Sequence, residues 1–241
     1  MHSILARTRF GCQTLMKIHQ LFPLMVAIDK LGLPPLCRKN MCSWIQHVAS
    51  TENDTQSASA WTGDINGHEF LLADPRFEPL KELIVEKLYL YLDALAINRD
   101  KVELYVQRSW ATYTQQGQNI ASHTHAQSHL TFAYYLYKPD NSGDIAFIPR
   151  EQQNEIAPGI FNSDKYNLSL IEKPNMFNGK RIVLQGKQDD IVVFPSKQPH
   201  VTTPNYSGKP RISIAGDVVV MLRDSGGFEH LMPNISHWQK V

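Results

Sequence analysis

The chain has 241 residues, 42% of them apolar, and 24 Lys and Arg stand against 23 Asp and Glu. This length and apolar share suit one sizeable core and argue against two large domains, and a near-neutral charge without a basic block or arginine stripe argues against nucleic acid as a partner. The odd set Cys12, Cys37 and Cys42 has no CxxC pair and suits a reducing cytoplasm better than a disulfide framework or zinc ribbon, while no apolar run approaches the about 18 residues of a membrane span.

Residues 1–20 read as a disordered extension before a single domain over 21–241. Residues 1–28 carry Arg7, Arg9 and Lys17 with no acid, as a targeting peptide would. Their apolar residues are scattered, however, without a small-residue cleavage pattern. The apolar stretch 21–28 is broken by Pro23. Residues 34–48, with Trp44, Ile45 and Val48, form a predicted amphipathic helix, followed by a polar loop over 50–59. Phe77, Leu80, Leu83, Ile84, Leu88, Leu90 and Leu92 recur at helical spacing and predict a second helix over 78–95. The helical part thus covers about 34–97, and its two helices are expected to brace a sheet.

After Asn98 the pattern becomes short runs of Val, Tyr, Ile, Phe and Thr separated by turn residues. Strands are predicted over 102–113, 130–137, 144–149, 181–185, 190–194 and 211–222, a β core of about 100–222. Many short strands at this spacing predict a barrel or jelly roll. Residues 151–178 lack strong periodicity and contain Pro158-Gly159 and Pro174, which predicts a long loop of the kind that forms lids and binding loops.

The histidines suggest chemistry. His123 and His125 are one residue apart, so in extended chain both imidazoles point to one side, and His200 follows a strand that a jelly roll could bring beside them. Three neutral imidazoles on one face would leave open coordination positions, as oxygen chemistry at non-haem iron requires. Any one histidine alone reads more readily as a polar residue near a loop than as a ligand. Arg211 and Ser213 share a face by the same period of two, and a guanidinium with a hydroxyl can grip a carboxylate of a diacid cosubstrate. The competing reading pairs Arg211 with Asp217 or Asp190 at the rim.

The ordered combination of Ser109-Trp110, Gly117-Gln118-Asn119, Ser122-His123-Thr124-His125, Tyr134-Tyr135-Leu136, Ser142-Gly143-Asp144, Pro149-Arg150, Phe194-Pro195-Ser196, His200, Pro204-Asn205 and Arg211-Ile212-Ser213-Ile214 resembles the 2-oxoglutarate and iron(II)-dependent oxygenases. Within them it is similar to a bacterial and phage family carrying His-x-His. The superfamily's usual first metal motif is His-x-Asp or His-x-Glu, and here His125 stands in the acidic position. The resemblance implies a mainly β fold with flanking helices, a double-stranded β-helix (jelly roll, cupin-like). It implies iron(II) held by His123, His125 and His200, and 2-oxoglutarate held by Arg211, Ser213 and Tyr134. Water or Asp144 could replace His125, and the sequence leaves open whether Tyr134 or Tyr135 faces inward. His129 reads as a surface residue or one behind the ligands; Gln118 and Asn119 read as polar contacts to substrate or to the residues behind the ligands.

The implied reaction is oxidation, by default hydroxylation, of a small molecule, amino acid or peptide side chain, with release of succinate and CO₂. No nucleic-acid or membrane partner is expected, and the oligomeric state is open. Two other readings remain at this level: a three-histidine cupin-like dioxygenase without 2-oxoglutarate, which leaves Arg211 and Ser213 without a role, and a non-catalytic jelly-roll module.

Overall fold

Strict alternation of side chains across strands sets the architecture. The structure, a computed structural model, describes residues 3–5, 15–17, 19–52, 57–226 and 233–241. Of the expected N-terminal extension, β1 (Ser3–Leu5) and β2 (Leu15–Lys17) pair antiparallel, and the rest up to residue 18 lies outside the described residues. The main sheet combines β3 (Ala27–Lys30), β4 (Trp61–Thr62), β5 (Val102–Thr114), β6 (Leu130–Tyr137), β9 (Asp190–Pro195) and β11 (Arg211–Leu222). Their order is β3-β9-β6-β11-β5-β4, and every neighbouring pair is antiparallel. A smaller antiparallel sheet has the order β10-β7-β8, from β7 (Ile145–Phe147), β8 (Ile182–Leu184) and β10 (His200–Thr202). This is the expected mainly β jelly roll with flanking helices.

The helices cover one face of the main sheet. In α1 (Pro35–Glu52), Met41, Ile45 and Ala49 are buried one turn apart. Ala49 continues the apolar stripe, which is why this helix outlasts its expected end at 48. In α2 (Glu78–Ala94), Leu80, Ile84, Leu88, Tyr91 and Leu92 form the buried stripe, and Pro79 occupies the first turn, where its missing N–H costs nothing. Both stripes join Phe132, Tyr134, Leu136, Ile191, Val193, Ile212 and Ile214 in the larger core. Full burial of a side chain such as Ile45 or Leu88 contributes about 1.5–3 kcal/mol.

The opposite face turns inward. There Tyr135, Val192 and Phe194 pack against Ile145 and Phe147 of the small sheet, forming a second core. The pairing of β11 with β5 passes from Asp217↔Arg108 directly to Val218↔Val106, leaving Gln107 as the extra residue of a β-bulge. The β6 and β11 boundaries coincide with those expected. Strands β3 and β4 escaped prediction because β3 is a short, largely exposed edge and β4 has two residues. The expected loop 151–178 contains no strand, only the 3-10 turn Ser163–Leu168.

Candidate active site

His123 and His125 do not lie in β6. They precede it in extended chain, tied to the small sheet by a reciprocal backbone pair: His123 N–H donates to His200 O at 3.0 Å, and His200 N–H donates to His123 O at 3.1 Å. His125 N–H donates to Ser196 O at 3.0 Å. These bonds bring the three rings together, with centroids 5.0 Å apart for His123–His125, 4.3 Å for His123–His200 and 5.2 Å for His125–His200. One ligating atom of each lies within 4.8 Å of the other two.

Hydrogen bonds define the chemical state of this cluster. Nδ1 of His123 lies 2.8 Å from Ala121 O, and Nδ1 of His200 lies 3.0 Å from Gln198 O. Nδ1 of His125 lies 2.7 Å from Asp217 Oδ1. A carbonyl oxygen or carboxylate can only accept, so each Nδ1 carries the proton and a neutral ring keeps its Nε2 lone pair. Nε2 of His125 and Nε2 of His200 then face each other at 3.4 Å, two lone pairs with no proton between them. Protonation is disfavoured here: burial pushes the His200 pKa down to about 3 and also lowers that of His123. A cation would satisfy all three lone pairs, so this donor set fits a divalent metal with a preference for nitrogen.

The walls are aromatic on one side and charged on the other. Trp110 stacks on His125 at 5.6 Å, and Phe194 meets His200 edge-on at 4.7 Å. Asp217 is buried, and Arg108 Nη2 donates to its Oδ2 at 2.7 Å. Burial opposes ionisation of Asp217, yet hydrogen bonds from His125 and Arg108 outweigh it and lower its pKa. Asp217 was weighed in the sequence only as a partner for Arg211. Its place two periods past Ser213, the one acidic residue of β11, was the available signal.

Arg211 is among the largest fully buried side chains of the described residues, 1% exposed. Its Nη1 donates to Ser142 O at 2.8 Å and its Nη2 to Thr114 Oγ1 at 3.3 Å, while Nε has no partner. Among the described residues no carboxylate forms an ion pair with it: Asp217 is taken by His125 and Arg108, and Asp190 pairs with Lys30. The rim pairing weighed for Arg211 is therefore not what the fold adopts. Burial lowers the pKa of the guanidinium. Gly143, at φ +85°, lets the preceding turn close over it, since a Cβ there would sit 2.7 Å from Arg211 Nη1 and 2.2 Å from Thr203 O.

Ser213 follows on the same face, its Oγ 2.6 Å from Thr112 Oγ1. The two tyrosines separate by period two. Tyr134 points into the helix-facing core and donates to Asp189 Oδ1 at 2.8 Å, whereas Tyr135 points inward, where burial pushes its pKa up to about 12. The expectation for Tyr134 is thus corrected: β6 turns its ring away from the face that carries Arg211. Asp144 accepts from Gly186 N–H and pairs with Lys138 at 2.9 Å, outside the histidine cluster. His129 is exposed and accepts from Val220 N–H.

Residues 108–217 match the family model described as "Putative 2OG-Fe(II) oxygenase". The matched segment runs from Arg108 to Asp217, a little under half of the chain, and includes all three histidines and Arg211, so the similarity to 2-oxoglutarate and iron(II)-dependent oxygenases falls on the segment that carries the candidate site. The fold is similar to AviO1 from Streptomyces viridochromogenes Tue57, at 13% identity and a TM-score of 0.52, covering 87% of this chain and 92% of that one. It is also similar to HygX from Streptomyces hygroscopicus, solved with nickel, 2-oxoglutarate and hygromycin B bound, at 10% identity and a TM-score of 0.52, covering 81% and 83% of the two chains. No curated protein sequence matches the chain.

Proposed function

We propose that this protein hydroxylates a C–H bond of a small molecule or an amino-acid side chain, converting 2-oxoglutarate and O₂ to succinate and CO₂. The single domain over 21–241 acts as the unit, and the reduced-thiol composition favours the cytoplasm. His123, His125 and His200 hold iron(II) through Nε2. Bound there with 2-oxoglutarate, iron supplies the activation of O₂. The observation that carries the reading is the pairing of a three-imidazole cluster with Arg211, a fully buried cation that forms no direct ion pair among the described residues, Asp144 acting on it only from beyond ion-pair distance. A buried charge without a directly bound counterion is costly, and a dicarboxylate bound on the same inward face would supply one. Arg211 therefore binds the far carboxylate, with Ser213 beside it and Tyr135 in the place first expected of Tyr134. The aromatic walls from Trp110 and Phe194 hold the rings and exclude water from their edges.

Titrating anaerobic iron(II) protein with 2-oxoglutarate tests this directly. Bidentate keto-acid chelation gives a weak visible charge-transfer band, which is expected in the wild type and absent in Arg211→Ala at limiting cosubstrate. Bound iron without the band, together with O₂ uptake without succinate, would instead assign the histidines to a cupin-like dioxygenase.

A further inference from the structure

The three histidines are oriented in two different ways. His123 and His200 each turn Nδ1 to a carbonyl two residues earlier in the chain, at Ala121 and Gln198. Their ring orientation is thus built into their own local turns. His125 depends instead on a side chain from another strand, Asp217 of β11, at 2.7 Å. That carboxylate is itself fixed. Its Oδ2 accepts from Arg108 Nη2 at 2.7 Å and Nε at 3.1 Å, and Ser128 Oγ lies 3.3 Å from Oδ1. Arg108 in turn lies over the Trp110 ring at 5.2 Å, and Trp110 stacks on His125.

We propose that Asp217 is the positioning residue of the metal centre, the carboxylate that fixes the tautomer and ring plane of His125 and stands one atom shell behind the position where His-x-Asp sites place theirs. The proposal rests on the three-histidine metal reading. A carboxylate behind a ligating imidazole makes Nε2 more basic and holds it on the metal. Because Arg108 offsets the charge, orientation is the larger part of the effect. The isosteric change Asp217→Asn exposes the mechanism. Its amide NH₂ must face either the donors of Arg108 or Nδ1 of His125. The second arrangement makes Nδ1 an acceptor, moves the His125 proton to Nε2 and removes that nitrogen from the ligand set.

Long-range ¹H–¹⁵N correlation spectra of metal-free, ¹⁵N-histidine-labelled protein read the tautomer without any metal. The wild type should show His125 protonated at Nδ1, and Asp217→Asn should shift it toward Nε2. Cobalt(II) titration should then show a loss of about 10- to 100-fold in affinity for Asp217→Asn, measured on variant protein that circular dichroism shows to be folded, and a smaller loss for Arg108→Gln, which removes an anchor but keeps the carboxylate. A wild-type His125 protonated at Nε2 overturns the proposal even if the Asn variant does not fold. Wild-type cobalt affinity in a folded Asp217→Asn also overturns it. A wild-type protein that binds neither cobalt(II) nor iron(II) while showing the Nδ1 tautomer overturns the metal reading instead, so the two failures are distinct.

Discussion

Tyr134 and Tyr135 are neighbours in one strand and live in different chemistries. The first faces α1 and α2 across a core of Phe132, Leu136, Ile191 and Val193; the second shares the inward face with Arg211, whose one side-chain hydrogen-bond partner among the described residues is Thr114. The helix-facing side of the main sheet is nearly all hydrocarbon, and its stability comes from buried area. The inward side holds an arginine, an aspartate, threonines and the histidine cluster, each needing a specific partner. Polar residues placed in a protein interior at such cost mark where binding and chemistry occur, and here one strand's alternation sorts scaffold from site.

Mutations that break the inward face should act on ligands first. The largest effect is expected for His200→Ala, which should abolish stable iron binding, a loss beyond the about 10–100-fold typical of removing an outer partner of a metal ligand; metal content after gel filtration measures it, and full occupancy would remove His200 from the ligand set. Next comes Arg211→Ala. It should cost about 2–5 kcal/mol of 2-oxoglutarate affinity, the usual cost of truncating one member of a buried charge pair, with iron binding retained. Calorimetric titration of both ligands separates the two roles.

The contrast also predicts a pH response. His200 has its pKa lowered from 6.5 to about 3 by burial, so between those values the unfolded chain binds a proton that the folded protein refuses. Stability of the metal-free protein is therefore intact above pH 6.5 and falls as pH drops toward 3, by up to about 1.4 kcal/mol per pH unit for that proton. Denaturant midpoints across this range should show the slope, and His200→Gln should flatten it. The smallest effects sharpen the comparison of faces. Tyr134→Phe should cost about 1 kcal/mol of stability through its lost bond to Asp189 and leave 2-oxoglutarate binding unchanged. Tyr135→Phe should weaken that binding several-fold, and it should also cost about 1 kcal/mol of stability because Ile145 N–H donates to the Tyr135 hydroxyl at 3.2 Å. The reverse pattern would mean that Tyr134, as first expected, is the one that reaches the cosubstrate.

The long strands were legible because their alternation is strong: β6 and β11 carry apolar residues on the face toward the helices and polar ones within the barrel. The convergence of His123 and His125 followed from period two even though the pair lies outside β6, because an extended chain has the same alternation as a strand. What could not be read was parity and distance. Nothing local says which of two adjacent tyrosines faces inward, since both are buried. Asp217 becomes a partner of His125 only through the pairing of β11 with β5 and β6, a relation between distant segments that no spacing encodes. His200 was recognised as a ligand candidate, but its own strand, β10, is three residues long and left no periodic trace.

The single extra residue in β5 works like a shift of reading frame. Ahead of it Val102, Leu104 and Val106 contribute even-numbered residues to the helix-facing core, and beyond it the even-numbered residues Arg108, Trp110, Thr112 and Thr114 belong to the site. Gln107, exposed at the bulge, is where the phase changes. Excising that one unremarkable glutamine would touch no ligand and no apolar contact, yet it would put scaffold and site out of phase along a continuous strand. Either the hydrocarbon half or the catalytic half would then face the wrong way, so a residue with no chemical duty holds the two halves of the molecule to a common grammar.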